Sequence, residues 1–205
     1  MSHKKPQNTE FIKNPLVIIP TRLSSSRLPG KPLADICGVP MIVRVLRQAE
    51  SAKCGPVIVA CCDIEVKNVV EKAGGVAIMT NPNHLSGSDR IYEALQILDP
   101  KEFYDAVLNI QGDLPTISPA IPKEALTLLN NEDVDIGTLA TTIVDTSELN
   151  DPNVVKAIVS LNKNKNNGKA IYFTRANAPF GDGESWHHIG IYAYRRRALQ
   201  RFVSL

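Results

Sequence analysis

Apolar positions follow two rhythms along this chain. Leu16-Val17-Ile18-Ile19 is a short uncharged run of branched residues, the pattern of a strand buried on both faces. Val57 to Cys61 and Val76 to Met79 repeat it, and between the first two runs the spacing changes to three and four. Met41, Ile42, Val45, Leu46 and Ala49 mark one face of a helix that Pro40 can open and Gly55-Pro56 stops. Asp63 can cap a second helix reaching about Ala73, and Gly74-Gly75 turns the chain into the third strand. This alternation predicts a βαβαβ unit with right-handed crossovers.

The rhythm then loosens. Asn81 to Arg90, NPNHLSGSDR, is polar and turn-rich and reads as a loop ahead of a helix over Ile91 to Leu98. Ala106 to Ile110 is another buried strand, and a helix around Ile121 to Leu129 leads to a strand at Ile136 to Thr142. Val154 to Leu161 and Ala170 to Phe173 read as paired strands around the polar hairpin Asn162 to Gly168, with a further strand at Ile189 to Tyr194. Such a departure from βαβ order predicts an α/β fold with a mixed sheet, whose antiparallel excursion covers a ligand.

Composition narrows the function classes. The 205 residues, 43% hydrophobic and 21% charged, suffice for one substantial α/β core. A net charge of +2, from 23 basic and 21 acidic residues, argues against a general nucleic-acid binder, and Arg195-Arg196-Arg197 with Arg201 reads as capping or decoration of a C-terminal helix. No run approaches the roughly 18 apolar residues of a membrane span. Residues 1–15 are polar, lack the apolar segment of a secretory signal, and read as a flexible leader. Cys37, Cys54, Cys61 and Cys62 show neither zinc nor CxxC spacing; Cys61 and Cys62 read as core residues on opposite faces of a strand, in a reducing compartment.

Candidate chemistry begins where Pro20 ends the first apolar run. The loop beyond it carries Arg22, Ser25, Arg27, Gly30 and Lys31, at the carboxyl end of a strand, where open α/β sheets bind their ligands. Arginine forks and a lysine point charge suit successive phosphoryl groups, and small residues between them let backbone N–H groups approach. Solvated surface charge is the plainer alternative. The loop is not a Walker A motif, because Ser25 stands where glycine is required and Pro32 follows Lys31; it is not GxGxxG either.

Asp113 follows a buried strand within Gln111-Gly112-Asp113-Leu114-Pro115. A hard carboxylate facing a polyphosphate suits magnesium, while capping of the next helix is the alternative. Gln111 and the segment containing His84, Ser86, Gly87 and Ser88 offer contacts for a base or ribose, although His84 also reads as a loop hydrogen-bonder. With no GxSxG elbow and no nucleophile–base set, the inventory favours a reaction run by phosphate positioning and metal charge. Arg175 and His188 can receive an acidic co-substrate, or else serve as surface groups; adjacent His187 and His188 cannot share one strand face.

Taken together, IIPTRLSSSRLPGKPL, HLSGSDR, NIQGDLP, DPNVVKAI, YFTRANAPF and HHIGIYAYR resemble, in order from about Leu16 to Arg195, the 3-deoxy-manno-octulosonate (Kdo) cytidylyltransferase family, the CMP-Kdo synthetases of Gram-negative bacteria. The resemblance implies a Rossmann-like nucleotide-diphospho-sugar transferase fold of three α/β/α layers over residues 16–205. It implies transfer of a cytidylyl group from CTP to Kdo with release of diphosphate, using Mg2+, in the cytoplasm, by a homodimer that feeds lipopolysaccharide synthesis. Arg22, Ser25 and Lys31 would hold the CTP phosphates and Arg27 would shape their loop. Gln111 and His84 to Ser88 would lie near the nucleotide, Asp113 would bind magnesium, and Arg175, His188 and Tyr192 would approach Kdo. Lys31, Asp113 and Arg22 would carry the catalysis.

Two features depart from the family pattern. Leu114 stands where many members place a glutamate beside the metal ligand. The pattern also continues past the position of Leu205, through a Leu-Glu-Gln helix and a further metal-binding aspartate, so the resemblance implies a domain without that C-terminal end. A cytidylyltransferase for a sialic acid or other sugar acid, and a nucleotide-binding subunit without catalysis, are the alternative readings.

Overall fold

A computed structural model describes residues 12–24, 28–162, 166–181 and 183–205. Most of the leader, Ser25 and Arg27 of the first loop, and the middle of the 162–168 hairpin lie outside the described residues. The chain forms two compact units. One runs to Gly137 and resumes at Ile191, and the other is Thr138–Gly190.

The first unit opens with β1 (Pro15–Pro20), a two-stranded ribbon of β2 (Asp35–Ile36) and β3 (Val39–Pro40), and α1 (Met41–Ser51). It continues through β4 (Val57–Cys61), α2 (Ile64–Lys72), β5 (Val76–Met79), α3 (Gly87–Leu98), β6 (Ala106–Ile110) and α4 (Ala120–Thr127). β7 (Ile136–Thr142) leads out of it. The second unit holds β8 (Lys156–Leu161) and β9 (Gly168–Thr174). β10 (Trp186–Arg195) leads back, and α5 (Arg196–Val203) follows.

In the first unit the sheet order is β5-β4-β1-β6-β10. β1 lies parallel between β4 and β6, with Ile18 opposite both Ile58 and Asn109. β10 closes the row antiparallel to β6, Ala193 opposite Leu108. Leu16 to Ile19 are wholly buried, which requires cover on both faces and explains the unbroken apolar run. On one face Leu16, Ile18, Ile58 and Val107 meet Ile91, Ala94 and Leu95 of α3 and Leu199 of α5. α1 buries Ile42, Val43, Val45, Leu46 and Ala49 and packs on β4, while α4 packs on β6. The chain moves outward from β1 through β4 to β5, then crosses to β6 on the other side of β1. That reversal is the point at which open sheets leave a crevice beyond their strand ends.

Four local readings change. α3 begins at Gly87 rather than Ile91, because Ser86 and Asp89 form a capping box: Ser86 accepts from the Asp89 N–H at 3.2 Å, and Asp89 accepts from the Ser86 N–H at 3.0 Å. Asp63 occupies the N-cap position of α2, yet its carboxylate accepts the Leu23 N–H at 2.8 Å and so ties down the first loop. Cys61 is buried, whereas Cys62 is half-buried outside the strand with its thiol directed to Asp63. Arg195 is buried and donates to the carbonyls of Leu129, Asn131 and Val134, while Arg196 pairs with Asp99; these two arginines hold the unit together from within.

In the second unit β8 and β9 pair antiparallel, with an irregularity between Ile158 and Val159. Lys156 is fully buried, and its ammonium donates to the carbonyls of Asp151 and Val154 at 2.9 Å and of Arg175 at 3.1 Å. All three donors of the amine are thereby used.

Candidate active site

Beyond the carboxyl ends of β1 and β6 lies a pocket of about 340 Å³. Three segments wall it: Pro20 to Arg22 with Ser24, Lys31 and Pro32; His84 to Gly87 with Arg90; and Gln111 to Asp113. The first and third segments approach closely. A Cβ on Gly112 would lie 3.1 Å from the Pro20 carbonyl oxygen, tighter than a side chain ordinarily tolerates, so glycine fits this crossing. Gly30 takes φ 71°, the left-handed region, and its N–H returns to the Leu23 carbonyl at 3.1 Å. A one-turn helix, Lys31–Leu33, starts immediately after it and sets the Lys31 stem at the pocket wall.

Lys31 Nζ reaches Asp113 Oδ2 at 2.7 Å, so the loop after β1 and the loop after β6 meet through opposite charges. Both side chains remain partly exposed and keep access to a ligand. The helix-cap alternative for Asp113 fails, because the N-cap position of α4 is Pro119. Gln111 is half-buried on the same wall, and Arg22 is exposed there.

Arg90 is the functional candidate that reading by sequence alone passed over. It is 3% exposed, lines the pocket, and donates from Nη1 to Thr80 Oγ1 at 2.6 Å. Among the described residues no carboxylate pairs with it. Its place one residue after Asp89 of the capping box was the available clue, hidden while the segment read as loop.

His84, Ser86 and Gly87 line the pocket, but Ser88 does not. Inside the first turn of α3, Ser88 is half-buried and turned toward the phenol of Tyr194, whose pKa burial pushes up to about 12. Tyr192 also stays outside the pocket wall: its ring packs on Tyr194 with centroids 5.8 Å apart, and burial raises its phenol. Arg175 and His188 belong to the second unit. Arg175 donates to the Pro152 carbonyl at 2.6 Å. His188 Nε2 lies 2.9 Å from the Thr138 hydroxyl, and its ring packs on Phe173; burial, with His187 adding, lowers its pKa. His187 faces Glu148 at 3.4 Å.

The pocket is cationic, lies at the switch point of a largely parallel sheet and carries a carboxylate on its wall, the place where such sheets bind ligands. The cytidylyltransferase family model matches residues 16–205. A 3-deoxy-manno-octulosonate cytidylyltransferase of Rhodospirillum centenum is 55% identical over 193 residues, covering 94% of this chain and 75% of that protein. The protein of the same name from Methylobacterium radiotolerans is 55% identical over 194 residues, covering 95% and 78%. Among solved structures, a CMP:2-keto-3-deoxy-manno-octonic acid synthetase complexed with CTP superposes with a TM-score of 0.83 at 37% identity, covering 94% of this chain and 78% of that one. A cytidylyltransferase from Leptospira borgpetersenii, at 16% identity and a TM-score of 0.60 over 94% and 64% of the two chains, shares the fold. The chain belongs to the 3-deoxy-manno-octulosonate cytidylyltransferase family.

Proposed function

We propose that the pocket binds CTP and that the protein transfers its cytidylyl group to the 2-hydroxyl of Kdo, giving CMP-Kdo and diphosphate for lipopolysaccharide synthesis. The observation that carries this reading is the convergence of Arg22, Lys31 and Arg90 on a pocket that also presents Asp113 and Gln111. The hydroxyl oxygen forms a bond to the α-phosphorus, the bond from that phosphorus to the β-phosphate oxygen breaks, and the hydroxyl proton passes to water. Fixed cations around the phosphates offset the charge gathering on the leaving diphosphate without having to reorganise. Lys31 serves this end when the triphosphate displaces Asp113 from its ammonium. Gln111 and the His84–Gly87 wall receive the nucleoside. For the sugar acid the reading keeps Arg175, whose guanidinium suits the carboxylate of Kdo.

Among the described residues no group of three or more His, Cys, Asp or Glu forms a metal cage. Asp113, partly exposed on the pocket wall, instead suits an ion that takes most of its oxygens from phosphates and water, as magnesium does. Magnesium held there by Asp113 and the triphosphate would supply further charge neutralisation. Residues 16–205 form the cytidylyltransferase domain in this reading, acting in the cytoplasm as a homodimer. No helix among the described residues is long and apolar enough to cross a membrane.

Diphosphate release with Kdo and magnesium, measured with CTP, UTP and ATP in turn and followed by mass analysis of the sugar product, tests the proposal. Release with CTP and formation of CMP-Kdo are expected. Turnover with a sialic acid but not with Kdo would replace this reading by the sialic acid alternative.

A further inference from the structure

β5 ends at Met79, and the next residue, Thr80, still pairs with β4: its N–H donates to the Cys61 carbonyl at 2.8 Å. Its hydroxyl folds back on the same oxygen at 3.0 Å. A carbonyl only accepts, so the hydroxyl proton is committed there, and Thr80 Oγ1 turns a lone pair to Arg90 Nη1 at 2.6 Å. Thr80 and Arg90 are both buried, 6% and 3% exposed, yet of the two Arg90 alone reaches the pocket wall. One chain of hydrogen bonds thus runs from β4 through the end of β5 to a guanidinium of α3 at the pocket.

We infer that Thr80 is a positioning residue for nucleotide binding: it holds the Arg90 guanidinium ready for the phosphates without touching the nucleotide itself. A guanidinium is a rigid planar fork of five donors, so pinning one N–H restricts where the other four point. The flexible stem supplies no such restraint, and its freedom would otherwise be lost when the ligand binds. The acceptor is also neutral. A carboxylate in the place of Thr80 would orient Arg90 equally well but cancel its charge and compete with the phosphates, whereas a hydroxyl orients the cation and leaves the charge to the ligand. Lys31 shows the contrast, since its partner at 2.7 Å is the Asp113 carboxylate, which the triphosphate has to displace. The inference rests on the nucleotide reading of the pocket.

Two substitutions separate the hydroxyl from the rest of the side chain. Thr80→Val keeps the branched shape and removes the hydroxyl, while Thr80→Ser keeps the hydroxyl and removes the methyl. In calorimetry on the whole protein, CTP should bind Thr80→Val about tenfold more weakly, the scale of one hydrogen bond, and Thr80→Ser within about twofold of wild type. The KM for CTP should rise with the Kd in Thr80→Val, and the KM for Kdo should hold. Placed on Arg90→Met, Thr80→Val should cost no further CTP affinity, because a residue that acts through another has nothing to add once that other is gone. Thr80→Ala supplies the same comparison without the hydroxyl if the valine variant does not fold.

Unchanged or tighter CTP binding without the hydroxyl, an equal loss in Thr80→Ser, or the same added loss on Arg90→Met would overturn this inference alone, as would normal CTP affinity in Arg90→Met itself. Wild-type protein that binds no CTP would overturn the nucleotide reading and this inference with it.

Discussion

Replacing Arg90 with methionine separates what the side chain does for the fold from what it does for the ligand. The guanidinium is 3% exposed and one of its donors binds Thr80 at 2.6 Å. A buried cation without a carboxylate partner costs several kcal/mol, and an anionic ligand offsets that cost on binding. Methionine fills comparable length without the charge. Loss of the Thr80 bond removes about 1 kcal/mol, while relief of the buried charge acts in the opposite sense, so stability without nucleotide should move by no more than about 1 kcal/mol. CTP binding should lose a charge-assisted contact of about 1.5–3 kcal/mol, or roughly 10- to 150-fold in Kd. Calorimetry gives the Kd directly, and the rise in unfolding temperature that CTP confers should shrink in step. A variant that melts well below wild type without nucleotide, yet binds CTP normally, would show that Arg90 is scaffold and refute the argument.

Lys31→Ala should raise the KM for CTP and lower kcat while leaving the unfolding temperature nearly unchanged. Its ion pair with Asp113 is a third to a half exposed, and such pairs add little to stability, so a large thermal loss would contradict this assignment. Asp99 should govern part of the acid limb of stability. Burial raises its carboxyl, but the N–H groups of Tyr104 and Phe103 and the Arg196 guanidinium, at 2.8, 2.9 and 2.6 Å, outweigh burial and hold it below the ordinary range. The unfolded chain then takes up the proton first as pH falls. This contribution is complete above about pH 4 and drains below it, through the lowered native value. Denaturant titrations from pH 2 to 7 should show a flatter acid limb in Asp99→Asn; an unchanged slope would refute the assignment.

Much of the fold was legible because both faces of the parallel strands are covered. Leu16 to Ile19 had to be apolar throughout and Ala106 to Ile110 at all but the buried Asn109, and the three- and four-residue spacing of Ile42, Val45, Leu46 and Ala49 had one structural meaning. Lys31 and Asp113 were legible for a related reason: polar groups placed just after such strands have the crevice to face. What escaped depends on partners distant in sequence. Asp63 has the chemistry of a cap, yet it binds Leu23, and nothing near it in the chain records that choice. Ser88 looked like its pocket-lining neighbours until the helix began at Gly87 and its periodicity turned the hydroxyl to Tyr194. Arg90 was overlooked because a charge in a polar, turn-rich stretch reads as solvated, and its burial follows from the packing of α3. Lys156 likewise sits within the apolar stretch VVKAI, and the carbonyls that accept its protons come from segments on both sides.

Diphosphate release from CTP and Kdo, followed across magnesium concentrations in wild type and Asp113→Asn, puts the whole reading at risk in one measurement. Asparagine keeps the size of the side chain and one oxygen but removes the charge that meets Lys31 and suits the metal. Magnesium-dependent release by wild type, and release reduced by at least about a hundredfold in the variant at every magnesium concentration, is the predicted result. Full turnover by Asp113→Asn at low magnesium would contradict it.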